Sequence, residues 1–347
     1  MLKWSWRPVR RSCLAVVLAG ATVVLVAAAV PPQVGGSLAG RQVFPRDNWW
    51  NLDINRAPVD PNSAAFIDFV SGRVNGNTTA TRRLHPDFGP SPFGFPYIVV
   101  AGDQALVRPT WTAYGDESDE GAPGRPLGYP IPDEAKTQAD YIEGAVPGGG
   151  LDGDRHTLVI DRDHWLLYET AATHWNAAAN RWEANCGAIF DLSRNDRRPD
   201  GWTSADAAGL AIFPGLVRYE EAFGTAEITH AFRVTVRATN GYVWPASHRA
   251  GSTPGALPMG ARLRMKAKNL SGYTPELQRI FRAMQRYGLI VADNGTDMLV
   301  SGTMDSRWNN DILNPAFHGL NADDFEVVQL GWHGNVPRPP TNLRIIR

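Results

Sequence analysis

Short apolar runs, separated by Gly, Pro, Asn and Asp, punctuate the chain from about residue 95 to residue 330. The runs "FPYIVV", "RHTLVI", "WLLYE", "GAIFDL", "ITHAFRVTV", "ARLRMKA", "GLIVAD", "MLVSG" and "DFEVVQL" are rich in β-branched and aromatic residues, and each is bounded by turn formers. That pattern predicts strands. Asn294-Gly295, between "GLIVAD" and "MLVSG", predicts a tight hairpin turn, because both residue types tolerate positive φ. Helical periodicity is rare. It is clearest over 275–287, where Leu277, Ile280, Phe281 and Met284 recur at i, i+3, i+4 and i+7 after Thr274-Pro275 and before Gly288. A shorter helix starts at Asp60-Pro61 and buries Phe66, Ile67 and Val70, and brief turns are expected at 204–209 and 214–223. The fold class this implies is mainly β (α+β), a β-sandwich or barrel-like pair of antiparallel sheets with a few packing helices.

The hydropathy pattern also divides the chain. Lys3, Arg7, Arg10 and Arg11 precede the apolar stretch "CLAVVLAGATVVLVAAAV", which ends in small residues. This is the layout of an export signal over 1–29, cleaved near Ala27-Ala28-Ala29; the alternative is an uncleaved N-terminal membrane anchor. Residues 30–43 read as a flexible linker, 44–335 as a single β-rich domain with a possible N-terminal subdomain at 44–115, and 336–347 as a C-terminal tail. The stretch 115–150 reads as a long loop.

Removing the signal leaves 30 basic against 35 acidic residues, a net charge near −5. Such a surface argues against nucleic acid as a partner, which calls for a basic footprint. Cys13 lies in the signal, so Cys186 is the one thiol left, and core burial rather than disulfides must hold the fold. Cys186 itself, in "EANCGAIF", reads as a packed core residue. The sequence contains no G-x-S-x-G, H-E-x-x-H, P-loop or dinucleotide fingerprint. No cofactor or metal is expected, the partner expected is a polysaccharide or cell-wall glycan, and the mature protein is expected to be an extracellular monomer without stable membrane association.

The candidate chemistry centres on "GDRHTLVIDRDHWLLYE", residues 153–169. With the turn centred on Arg162-Asp163, Ile160 pairs with Trp165, Leu158 with Leu167 and His156 with Glu169, and Asp154 shares their face. A His beside carboxylates gains basicity and orientation, so Asp154, His156 and Glu169 form the expected catalytic group. His230, at the start of the strand in "HAFRVTV", is expected to approach it. The competing interpretation makes both histidines hydrogen-bonded core residues. Trp202, Tyr242, Trp244 and His248 are the expected substrate-binding residues, the aromatics stacking on sugar rings. Asp293 reads as an ordinary turn residue, and the run 116–120 as a solvated acidic loop face or a source of a glycosidase acid.

Taken together, "GDRH", "GWTSADAAGL", "PGLVRYEE", "ITHAFR", "YVWPASH" and "RYGLIVADNG" resemble a family of exported bacterial proteins without an established activity. The resemblance spans about residues 44 to 328. It implies export and one shared architecture, and it carries no mechanism. From the residues, the reading is a secreted carbohydrate-active enzyme, a glycoside hydrolase using paired carboxylates Asp154 and Glu169. The alternatives are a non-catalytic glycan-binding protein, or a metal hydrolase built on Asp154, His156, His230 and His248.

Overall fold

The computed structural model describes residues 1, 30–73, 77–121 and 125–334. The expected signal beyond Met1 and the C-terminal tail lie outside the described residues. All nine runs expected as strands contain strands, and they supply all but Gln33–Val34 and His85–Asp87 of two sheets. One sheet has the order β1 (Gln33–Val34), β3 (Ile98–Val100), β5 (Thr157–Asp161), β6 (Leu166–Ala171) and β9 (Cys186–Asp191). The other runs β14 (Phe325–Val327), β11 (Arg262–Met265), β12 (Leu289–Asn294), β10 (Phe232–Val236), β13 (Leu299–Ser301) and β2 (His85–Asp87). A small third sheet joins β4 (Thr110–Trp111), β8 (Arg181–Ala184) and β7 (His174–Asn176).

The fold is thus α+β and mainly β, as the apolar runs imply, but its sheets are open and mixed rather than antiparallel. β3 runs parallel to β5, β10 to β12, β13 to β2 and β4 to β8. Strands of this kind are buried on both faces and read as continuous apolar runs. That explains Arg233 and Thr235, which share the second face of β10 and are nonetheless buried.

The two large sheets share one core. Leu158, Ile160 and Leu167 of the first pack in the same cluster as Phe232, Val234 and Val291 of the second. The cluster also takes in Ile67 and Val70 of α1 (Ser63–Ser71), Ala222 of α2 (Tyr219–Ala222), Ile280 and Phe281 of α3 (Pro275–Arg286), and Phe317 of α4 (Asn310–His318). The other face of the first sheet (Ile98, Val159, Tyr168, Ile189) is covered by Tyr129, Ile131 and Trp182. Helix α3 buries the expected stripe, Leu277, Ile280, Phe281 and Met284. Helix α4 was not legible, because Pro315 sits inside a short polar segment. A turn lies within 204–209, closed by Gly209 N–H to Asp206 O at 2.9 Å, and 214–223 holds a short helical turn at Phe213–Gly215 and α2.

Three local expectations are corrected. Residues 31–42 are not a free linker, since Gln33–Val34 pairs with β3 and Tyr97 donates its hydroxyl to Gly36 O at 3.0 Å. Asn294-Gly295 does not close a hairpin, because β10 lies between β12 and β13. The link wraps the end of β10 instead, through Gly295 N–H to Val236 O and Thr235 Oγ1 to Thr296 O, and Met298 takes the positive φ. The hairpin β5–β6 is shifted in register: Ile160 pairs with Leu167 and Leu158 with Glu169. Its turn is longer than two residues, since the Asp161 carboxylate accepts from the N–H groups of Asp163 and His164 and Trp165 adopts φ 57°.

Candidate functional site

A polar cleft of about 810 Å³ opens between the two sheets' loop ends, lined by Asp154, Arg155, His156, Cys186, His248, Arg249 and Asp293 among others. One wall is the approach to β5. There, Ala172 N–H donates to Asp154 O (2.7 Å) and Thr173 N–H to Arg155 O (3.0 Å), so the pairing of β5 with β6 continues irregularly. Arg155 and Ala172 both take left-handed φ, 47° and 52°, which turns the 153–156 ridge toward the cleft.

The opposite wall is the 203–209 loop with residues 247–252. Ala208 N–H donates to Ala292 O, Ser247 N–H to Ala208 O, and Ser247 Oγ to Trp202 O at 2.9 Å. The approach is so close that a Cβ on Gly209, at φ +72°, would lie 2.0 Å from Ser247 Oγ. A buried ion pair fixes the loop's depth: Arg233 Nε and Nη2 donate to both oxygens of Asp206, at 2.9 and 2.8 Å. The same guanidinium reaches Ser301 Oγ at 2.8 Å and Asp293 at 3.1 Å. A bidentate, fully satisfied pair of this kind is what makes a buried charge tolerable.

Asp293 therefore stands at the end of β12 with one oxygen toward Arg233 and the other accepting from Asn294 N–H, while a quarter of its side chain (26 %) stays exposed. Burial pushes its carboxyl up to about 6, against the pull of Arg233. His248, across the cleft lining, uses Nδ1 to bond Ala207 O at 2.9 Å. A carbonyl can only accept, so Nδ1 carries a proton, and Nε2 has no hydrogen-bond partner among the described residues. Asp154 is exposed in the same cleft. A protonatable carboxyl, an exposed carboxylate and an imidazole with one nitrogen unengaged are the parts that general acid–base chemistry requires.

His156 lines the cleft but is committed elsewhere. Its Nδ1 lies 2.6 Å from Glu143 Oε2 and its Nε2 lies 2.9 Å from Ala205 O. Burial works to neutralise the ring, yet the Glu143 carboxylate and its hydrogen bond outweigh it and lift His156 to about 9. Both nitrogens carry protons in that state, which leaves none for base catalysis or for a metal.

Glu169 is fully buried and is not part of the cleft. Its oxygens accept from Ile212 N–H (3.0 and 2.9 Å) and Phe213 N–H (2.9 Å), tying β6 to the turn that follows. His230 lies apart as well. It lines a separate depression of about 360 Å³ with Arg218 and Glu221, and its nitrogens bond Ala231 O and Glu221. The expected group of Asp154, His156, Glu169 and His230 is therefore not assembled: the shifted hairpin register moves Glu169 away from His156, and His230 belongs to the start of a strand in the other sheet.

The aromatic set also disperses. Trp244 packs edge-on against Trp49 at 6.3 Å, Tyr242 bridges to Met259, and Trp202 lies 5.5 Å from the Arg198 guanidinium. None of the three lines the cleft, whereas His248 does. The metal set fails for the same reasons, and among the described residues no three His, Cys, Asp or Glu side chains converge to hold an ion. The acidic run 116–120 is stapled rather than solvated: Asp119 pairs with Arg198 and accepts from Ile189 N–H, Glu117 accepts from Thr203 N–H, and Glu120 pairs with Arg108.

Sequence reasoning missed Glu143, hidden in a stretch read as loose loop, and undervalued Asp293. The only local sign for Asp293 was an acid ending an apolar strand, which ordinary turns share. Among the described residues, no helix is long and apolar enough to cross a membrane. The chain matches no protein-family model, no curated protein and no solved structure.

Proposed function

We propose that the protein is a secreted carbohydrate-active enzyme, a glycoside hydrolase acting on polysaccharide or cell-wall glycan, with the cleft between Asp154 and His248 as its active centre. The carboxylate pair in this reading is Asp293 and Asp154, replacing Asp154 and Glu169. The observation that carries it is Asp293: a carboxyl held near 6 by burial, yet open to a large polar cleft and anchored by Arg233. Two carboxyls in unlike environments divide into acid and base. Asp293 holds a proton for the glycosidic oxygen as the bond to the sugar breaks. Asp154, exposed in the cleft, receives the proton of the attacking water or stabilises the developing positive charge at the ring. His248 Nε2 hydrogen-bonds a sugar hydroxyl and orients it. Export is supported by the basic start and apolar run of residues 3–30.

The test is release of reducing ends from a glycan panel by the purified protein, wild type against Asp293→Asn and Asp154→Asn. Activity lost in both variants with melting temperatures close to wild type supports the reading. Activity that survives both substitutions overturns it.

A further inference from the structure

Most arginines around this cleft are matched to carboxylates: Arg197 to Asp200, Arg198 to Asp119 and Arg233 to Asp206. Two that line it are not. Arg249 is exposed and forms no hydrogen bond or ion pair among the described residues. Arg155 reaches only backbone carbonyls, Gly153 O at 2.9 Å and Ala172 O at 3.5 Å, and its Nε–H is buried with no acceptor. A buried donor without a partner costs free energy unless something else supplies the acceptor. The main chain holds Arg155 in place, since Asp154 O and Arg155 O are both bonded across to 172–173 while Arg155 keeps a left-handed φ. The cation is thus presented on the ridge even though its own carboxylate neighbour, Asp154, does not pair with it.

We propose that the ligand of this cleft carries a carboxylate, as a uronic-acid sugar does, and that Arg155 and Arg249 bind that group. The inference rests on the cleft being the glycan site proposed above and names the class of glycan. Guanidinium suits the role because its planar donors meet both oxygens of a carboxylate at once. The far side of the ridge fixes the direction of binding. A smaller depression there, about 230 Å³, also touches Arg155 but is lined by four acids, Asp87, Glu143, Asp152 and Asp154, which together would repel an anion. The carboxylate is therefore seated on the Arg249 side, and the neutral edge of the sugar faces Asp154. The cleft also holds Asp154 and Asp293, but neither of them forms an ion pair with Arg155 or Arg249 among the described residues, so both guanidinium groups stay available to an anion.

The test is calorimetric titration of the full protein with oligogalacturonate, oligoguluronate, the methyl ester of oligogalacturonate and neutral cello-oligosaccharides, with reducing-end release measured in parallel. The expected result is binding of at least one acidic oligosaccharide that weakens with added salt. Esterification and Arg249→Ala should each weaken it about tenfold or more, the loss of a charge-assisted hydrogen bond. Arg249→Lys should restore part of the affinity, and because Arg249 is exposed its variants should keep the wild-type melting temperature. Equal or tighter binding of the ester or neutral sugars, binding unchanged in Arg249→Ala, or no binding of either acidic oligosaccharide overturns the inference. Binding without cleavage upholds it and overturns the hydrolase reading, whereas cleavage of neutral glycans alone does the reverse.

Discussion

Glu143 and His156 form a buried ion pair, Nδ1 to Oε2 at 2.6 Å, that joins a loop before β5 to the residue that immediately precedes the hairpin. The carboxylate also accepts the His156 backbone N–H at 3.2 Å, and the ring's second nitrogen bonds Ala205 O, so one histidine ties three segments together. Burial works against ionisation of Glu143, but the His156 charge and its hydrogen bonds hold the carboxylate below its usual range. A histidine raised to about 9 on folding stabilises the fold fully below its unfolded value of about 6.5. That stabilisation is lost as pH rises through about 9. Urea unfolding at pH 6 and pH 9.5 should show wild type losing stability over this interval more than His156→Gln does. Glu143→Ala should destabilise by about 3–5 kcal/mol at pH 6, as expected when one member of a buried pair is removed.

Asp293, in the role of proton donor, must be protonated to act. With its carboxyl at about 6, kcat/KM on a cleaved glycan should fall as pH rises through about 6. Asp293→Asn should abolish that descending limb together with most of the activity. Its melting temperature should change little, because Arg233 keeps its bidentate bond to Asp206. A pH profile flat from 5 to 8 would remove Asp293 from this role.

Glu169 behaves as a structural carboxyl. Burial pushes it up to about 7, although the Ile212 and Phe213 N–H groups favour the ionised form. An acid raised on folding binds its proton more tightly in the native state, so stability should decline as pH rises from about 4.5 through 7. Glu169→Ala leaves two buried N–H groups without an acceptor and should cost about 2–6 kcal/mol, at 1–3 kcal/mol each. Activity per folded molecule should persist, as measured at a temperature where the variant remains native.

Cys186 donates to Ser204 O at 2.9 Å, and burial pushes its thiol up to about 12. Iodoacetamide should leave the native protein unlabelled at pH 8 and react after denaturation, read by intact mass. Rapid native labelling would mean that the cleft floor opens in solution.

Phe281 is fully buried in the core under α3, whereas Gln285 only touches Lys266 O and Lys268 O at the surface. Phe281→Ala should lower stability by about 3–5 kcal/mol, and Gln285→Ala should leave it nearly unchanged in the same denaturation experiment.

The apolar runs by themselves determined where their strands lie, because stretches of β-branched and aromatic residues and the turn residues that bound them are local properties of the chain. The same is true of the stripe on α3 and of the thiol of Cys186, which packs in an apolar strand as its neighbours imply. Short edge strands such as Thr110–Trp111 and His174–Asn176 carry too few residues to show a period. Register was legible only to within two residues: the carboxylate of Asp161 and the φ of Trp165 lengthened the turn and placed Glu169 opposite Leu158. Partner choice was not legible at all. Glu143 meets His156 across 13 residues, Asp206 meets Arg233 across 27, and Asp293 meets the same guanidinium across 60. Such encounters depend on how sheets stack and where loops cross, and no local periodicity records them. Tertiary structure alone decided which acids are buried bonds and which face the cleft, because exposure and ionisation follow from packing rather than from the residue's own type.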